Sequence, residues 1–140
     1  MAINFNYELD FSIPDEGKYS DWIARVVDSE GYRLSDLNYI FCNDEYLWNL
    51  NKKYLNHDTL TDIITFDYSD DEVVSGDIFI SKDRVGDNAL KFGVGFDEEM
   101  RRVMAHGVLH MMGYKDKSKA EKELMRTKEN EKIDLFHVEH

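Results

Sequence analysis

Two imidazoles and a carboxylate lie within eleven residues in the segment His106-Gly-Val-Leu-His110-Met-Met-Gly113-Tyr-Lys-Asp116. On a helix, residues four apart stand one above the other on the same face, so His106 and His110 present two ring nitrogens to one point. Gly113 follows where a helix end favours a residue of positive φ, and the chain then turns to bring Asp116 back toward the histidines. Zinc accepts imidazole nitrogen and carboxylate oxygen, and its catalytic sites use three protein ligands with a fourth position open. Two histidines and one carboxylate also suit iron, nickel or manganese. The helix of zinc peptidases carries a glutamate base directly after its first histidine. Here that position is Gly107, so peptidase chemistry lacks its general base.

The supporting helix is legible around these ligands. Asp97 is placed to cap it, and Glu98 and Glu99 suit the positive end of its dipole. Met100, Val103, Met104, Val108 and Met111 make an apolar stripe at helical spacing, which reads as core. Gly107 in mid-helix costs about 1 kcal/mol against alanine, so close packing or a ligand is expected there.

The stretch His106-Gly-Val-Leu-His110-Met-Met-Gly113-Tyr114 resembles the signature H-G-x-L-H-L-x-G-Y-D-H of the YbeY family. The block from Leu50-Asn51 through Tyr54, Asp58 and Thr61-Asp62 to Phe66 is similar to that family's L-N-x-x-Y-R-x-x-D-x-P-T-D-V-L-S-F. Gly76-Asp77-Ile78-Phe79-Ile80 resembles its G-D-I-x-I strand, and Glu123, Met125, Arg126 and Glu129 fit its closing helix. The resemblance implies a zinc-dependent, single-strand-specific endoribonuclease of ribosomal RNA maturation and ribosome quality control. It implies one ion per chain, held by His106, His110 and Asp116, whose bound water is activated for phosphodiester hydrolysis. Expected partners are single-stranded RNA, chiefly rRNA, and the ribosome or ribosomal proteins, with neither DNA nor membrane. Two positions depart from the pattern: Asp116 stands where the family has a third histidine, with Lys115 before it, and Leu55 where it has arginine. His57 and Lys115 are candidate catalytic helpers. Thr61 and Asp62 read as turn-closing and backbone-bonding residues that the resemblance brings near the site, together with Asp77.

Length and composition set the frame. A chain of 140 residues with 42% hydrophobic content and a single proline supports one folded domain spanning 1–140. The start Met-Ala-Ile-Asn-Phe-Asn lacks the basic and apolar regions of a secretory signal. The lone Cys42, in an apolar run, reads as a buried thiol, and a cytoplasmic location is expected. The formal charge of −12 is unfavourable for RNA binding, but it is unevenly spread. Residues 1–99 carry 8 basic and 22 acidic side chains, whereas 100–140 carry 9 basic and 7 acidic. Candidate substrate-binding residues are Lys52, Lys53, Arg101, Arg102 and Lys117. A solvated face on two amphipathic helices would give the same local excess. A ribosome-associated binding factor with a structural metal and little nuclease activity is the alternative function.

The elements that must position the site read as follows. Residues 3–11 suggest a strand, and Ser20 a cap for a helix carrying Trp22, Ile23, Val26 and Val27, ended by Gly31. Leu37 to Cys42 reads as a buried strand, and Asn43 as the cap of a helix with Leu47, Leu50 and Tyr54 on its face. Leu60–Phe66 and Val74–Ile80 suggest a hairpin across an acidic turn at Ser69–Glu72. Ser81 starts a short helix that runs into Gly93–Gly95, and Ser118 with Glu121 makes a capping box for the last one. The order predicts an α+β domain: a mixed sheet of about four strands packed with helices, with the metal site on a central helix. His137 and His140 sit in a polar tail and are expected to face solvent.

Overall fold

A computed structural model describes residues 3–55 and 61–138. The elements run β1 (Ile3–Tyr7), α1 (Glu16–Ser29), β2 (Arg33–Cys42), α2 (Asp44–Leu55), β3 (Ile63–Asp67), β4 (Val73–Ser81), α3 (Lys82–Phe92), α4 (Phe96–Met111) and α5 (Lys119–Phe136). The sheet has the order β1-β2-β4-β3. β1, β2 and β4 are parallel, and β3 joins the edge antiparallel to β4. This is the expected mixed four-stranded α+β architecture.

Strand alternation divides the sheet into two faces. Leu37, Tyr39 and Phe41 of β2 and Val74, Ile78 and Ile80 of β4 join the large core beneath α1 and α4. Cys42, Ile64, Phe66 and Phe79 point the other way and pack with Leu47 and Leu50 of α2. Each large side chain fully buried in such a core contributes about 1.5–3 kcal/mol. Helix α4 lies between the sheet and the remaining helices, packing on β3, β4, α1, α3 and α5. Its interior position explains why Met100, Val103, Met104, Ala105, Val108, Leu109 and Met111 are all buried, while Arg101, Arg102, His106 and His110 stay half-exposed.

Two glycines permit that close packing. A Cβ on Gly107 would sit 2.9 Å from Ile63 Cδ1 and 3.0 Å from Ile78 Cδ1, so the helix glycine answers a packing demand from β3 and β4. Gly76 has φ +155, and a Cβ there would collide with the Phe66 carbonyl oxygen and approach Met111 Cε at 2.7 Å. The helix that carries both histidines therefore rests on a sheet surface cleared by glycine. Tyr39 strengthens the seat by donating its hydroxyl to the Met104 carbonyl at 2.9 Å.

Several element boundaries differ from expectation. The first strand ends at Tyr7, and β2 begins four residues before Leu37, with a register shift between Leu34 and Leu37. Helix α1 starts at Glu16, capped by Asp15 through its bond from the Lys18 amide, so Ser20 lies inside it. The first turn, Glu16 to Tyr19, carries Gly17 and two exposed charged residues before Tyr19 enters the core, so it shows little helical pattern in sequence. Helix α4 has Gly95 at its cap without a side-chain bond, and Asp97 instead lies in the first turn. The other local signals act as expected. Asn43 accepts from the Tyr46 amide at 2.8 Å, Ser81 from the Arg84 amide at 3.2 Å, and Ser118 with Glu121 forms a complete capping box. Leu60, at the start of the expected hairpin, lies outside the described residues.

Candidate metal centre

His106 and His110 project from the same face of α4, with ring centroids 4.6 Å apart. The helix then stops in a Schellman arrangement: the Tyr114 amide donates to the Leu109 carbonyl and the Gly113 amide to that of His110. Gly113 has φ +97, a conformation that costs a side chain dearly. Tyr114 is pinned by its hydroxyl, which donates to Glu30 Oε1 at 2.6 Å. Between this anchor and the Ser118 capping box the short turn has little freedom, and it delivers Asp116 to the histidines. Asp116 Oδ2 lies 3.2 Å from Nε2 of both His106 and His110. One donor atom from each of the three residues falls within 4.8 Å of the others.

The ring of His106 is held from behind. Its Nδ1 donates to Glu129 Oε2 at 2.7 Å, so Nε2 is the nitrogen turned toward His110 and Asp116. Glu129 is buried, and its second oxygen accepts from Arg102 at 3.1 Å. Arg102 also donates to Asn130 at 2.9 Å. A carboxylate behind a metal-facing imidazole fixes its tautomer and orientation and raises its basicity. The antiparallel return of α5 along α4 supplies this carboxylate from 23 residues away in the chain.

Charge and burial shape the electrostatics. Burial presses the His106 pKa down, but the bond and charge of Glu129, with Asp116 and Asp62, outweigh it and raise the value. For Asp116, burial acts upward, while His110, His106 and Lys117 prevail and hold the carboxyl below its ordinary range. Desolvation raises Asp62 despite the opposing charge of His106. Asp62, Glu99, Arg102, His106, Asp116 and Glu129 face a recess of about 230 Å³. A wider opening of about 500 Å³ reaches outward past Thr65, Asp67, His110 and Lys117.

The donor set fits a divalent ion. It has two imidazole nitrogens and one hard oxygen, converging on one side, with a buried carboxylate orienting one ring. The expected ligand trio is therefore together. Thr61 donates its hydroxyl to the Ile63 carbonyl at 3.3 Å, the turn-closing role read from the sequence. Asp77 lies elsewhere: it accepts from Asn38, itself bonded to Asn4, in a polar row on the sheet face opposite α4.

The basic residues scatter. Arg101 turns inward, its guanidinium 4.4 Å from the Phe136 ring centroid and its Nε buried without a partner. Arg102 is committed to Glu129. Lys52 and Lys53 lie on α2, over the other sheet face, with their ammonium groups against Trp48 and Tyr54. Lys115 is exposed, and Lys117 borders the outer opening. His57 lies outside the described residues, as does His140. Cys42 is buried as expected, its thiol pushed up to about 12 by burial first and by Glu8, Asp44 and Asp83. Glu129 and Arg102 acquire roles that sequence reading did not assign. Arg102 is four residues before His106 and so shares its helical stripe, a usable signal; Glu129 had none in spacing alone.

Comparison with known proteins agrees with this geometry. Residues 4–137 match the family model described as endoribonuclease YbeY. The endoribonuclease YbeY of Flavobacterium johnsoniae is 59% identical over 137 residues, covering 98% of this chain and 99% of that protein. That of Christiangramia forsetii is 52% identical over 137 residues, covering 98% and 96%. The one from Bacteroides thetaiotaomicron is 44% identical over 135 residues, covering 95% and 98%. A Thermotoga maritima protein solved in solution shares the fold with a TM-score of 0.67 at 23% identity, covering 96% of this chain and 88% of that one. The chain belongs to the endoribonuclease YbeY family.

Proposed function

We propose that this chain, an RNA-cleaving hydrolase by family, cuts single-stranded RNA in ribosomal RNA maturation and quality control, using one zinc ion held by His106, His110 and Asp116. The observation that carries the reading is the convergence of those three donors within 4.8 Å of one another. When bound, the ion supplies Lewis acidity toward a phosphoryl oxygen and acidifies a water. Zinc suits two imidazoles and a carboxylate, while the hard Asp116 oxygen also admits manganese or iron.

The protein's own groups do the rest. Glu129 holds the His106 ring and keeps Nδ1 protonated, and Arg102 balances the buried Glu129 charge. Lys117 on the rim offers a charge to a phosphate, with Lys115 beside it in sequence. The surrounding recess limits water access and orients the scissile bond. The overall charge of −12 weakens nonspecific RNA binding, which favours delivery of the substrate by the ribosome or ribosomal proteins in the cytoplasm.

Metal content measured beside cleavage of a single-stranded oligoribonucleotide tests the reading. One ion per parent chain is expected, with metal and cleavage lost together in Asp116→Ala. Retention of both in that variant overturns it. The acidic surface also favours a second reading, a ribosome-associated factor with a structural metal. On that reading metal-loaded parent protein does not cut RNA, and His110→Ala reduces thermal stability and ribosome association together.

A further inference from the structure

Helix α5 carries basic side chains on a face whose groove runs into the metal centre. Lys119, Lys122, Glu123, Arg126 and Thr127 line an open groove of about 660 Å³. Lys122 and Arg126 continue into an inner recess of about 310 Å³, which they share with His106, Asp116, Met125 and Glu129. The groove and the metal centre are therefore one surface. Lys119, Lys122 and Arg126 are all exposed, and among the described residues none of the three forms an ion pair. Of the other cations near α4, Arg102 is held by Glu129, Lys128 by Glu30, and Lys132 by Glu30 and Glu131, which leaves Lys117 on the rim as a neighbour of the row. In a chain of charge −12, an unpaired basic row that ends at a metal centre is out of keeping with the rest of the surface.

We propose that Lys119, Lys122 and Arg126 form the track that binds the backbone phosphates of single-stranded RNA and leads the strand to His106, His110 and Asp116. The inference rests on the endoribonuclease reading and deepens it by assigning where the strand lies. Geometry supports it. Positions 119, 122 and 126 stand on one side of the helix, and the seven-position step from first to last rises about 10 Å. A nucleic acid strand presents one phosphate per about 3.4 Å of axis, so this row meets about three phosphates when the strand is stacked, and fewer when extended. Phosphate contacts position a strand without reading its bases, so the track confers affinity and direction rather than sequence preference. Glu123 on the outer lining repels phosphate and favours a strand lying toward Lys122 and Arg126. The track also moves the substrate contacts away from Arg101, whose charge is spent inside the protein.

The test is binding of a fluorescent phosphorothioate 2′-O-methyl oligouridine, checked by gel to be intact after each titration, to metal-loaded full-length protein across a salt series. Cleavage of the unmodified oligomer is followed in parallel. The Lys122→Gln/Arg126→Gln double variant is compared with a charge-matched control, Lys82→Gln/Lys91→Gln on α3. Thermal melting and metal content establish that each variant is folded and loaded. The expected result is at least a tenfold loss of affinity at low salt in the α5 variant alone. Its log K against log salt slope falls by about 1.4, at about 0.7 per phosphate contact for single strands. Equal affinity in parent and α5 variant overturns the track, as does an equal loss in the α3 control. If the parent cuts RNA but the α5 variant binds unchanged, the track alone falls. If the parent neither binds nor cuts RNA, the endoribonuclease reading falls with it.

Discussion

His106 Nδ1 donates to Glu129 Oε2 over 2.7 Å, joining a residue on α4 to one on α5 behind the ring edge that faces Asp116. The same carboxylate is anchored by Arg102, so the orientation of one ligand depends on two helices and an ion pair. Loss of such an outer partner commonly costs 10–100-fold in metal affinity. Glu129→Gln should accordingly weaken zinc binding by about tenfold or more in a chelator competition, with the helix content unchanged. Affinity equal to the parent would remove Glu129 from the centre.

The turn that carries Asp116 should share stability with a buried charge cluster. Glu30 accepts from Tyr114, Lys128 and Lys132, and Lys132 is fully buried. Burial alone pushes the Glu30 carboxyl up, but the Lys132, Tyr114 and Lys128 bonds prevail and place it at about 2. A folded pKa below the unfolded one means this contribution is present above pH 4.5 and is lost as pH falls from there toward 2. Glu30→Gln leaves the buried Lys132 ammonium with only Ser29 and Glu131 as firm partners and should cost about 2 kcal/mol at neutral pH. Urea denaturation should show that gap narrowing below pH 4.5; a gap independent of pH would contradict the linkage.

The glycine seat of α4 makes a graded prediction. Gly107→Ala gains about 1 kcal/mol of helix propensity but meets the flexible ends of Ile63 and Ile78. Overpacking costs about 1–3 kcal/mol, so a net loss of about 1 kcal/mol is expected. Gly76→Ala meets the Phe66 backbone, which cannot rotate aside, and should destabilise more. Denaturant midpoints that rank the two variants the other way would refute the packing account.

Arg101 should prove irrelevant to RNA. Its guanidinium lies against Phe136, near the Tyr19 hydroxyl, and its Nε is buried without a partner. Replacing a half-buried, incompletely satisfied arginine by an apolar group of similar length keeps its packing and is often close to neutral. Arg101→Met should leave oligonucleotide affinity within about twofold of the parent and shift stability by less than about 1 kcal/mol. A large loss of affinity in a well-folded variant would restore Arg101 to the substrate surface.

What could be read from the chain alone was local. The i, i+4 histidines, the Gly113 stop, the Ser81 cap and the Ser118 capping box each depend on a few neighbouring residues, and helix geometry converts their spacing directly into direction. The ligand trio and the α+β architecture follow from such signals. Asp15 and Ser20 are both plausible caps in sequence, and the longer helix is the one that caps at Asp15 and buries Tyr19. Tertiary structure alone decided the rest. The register of β4 turned Asp77 away from the histidines, and the return of α5 brought Glu129 to His106 and set Lys122 and Arg126 beside His106 and Asp116. Adjacent Arg101 and Arg102 part company because successive helix residues point about 100° apart, one into the α1–α5 interior and one toward Glu129. Spacing along one helix specifies which side chains share a face; which partner meets that face is settled by how separate elements pack, and packing depends on residues distant in the chain.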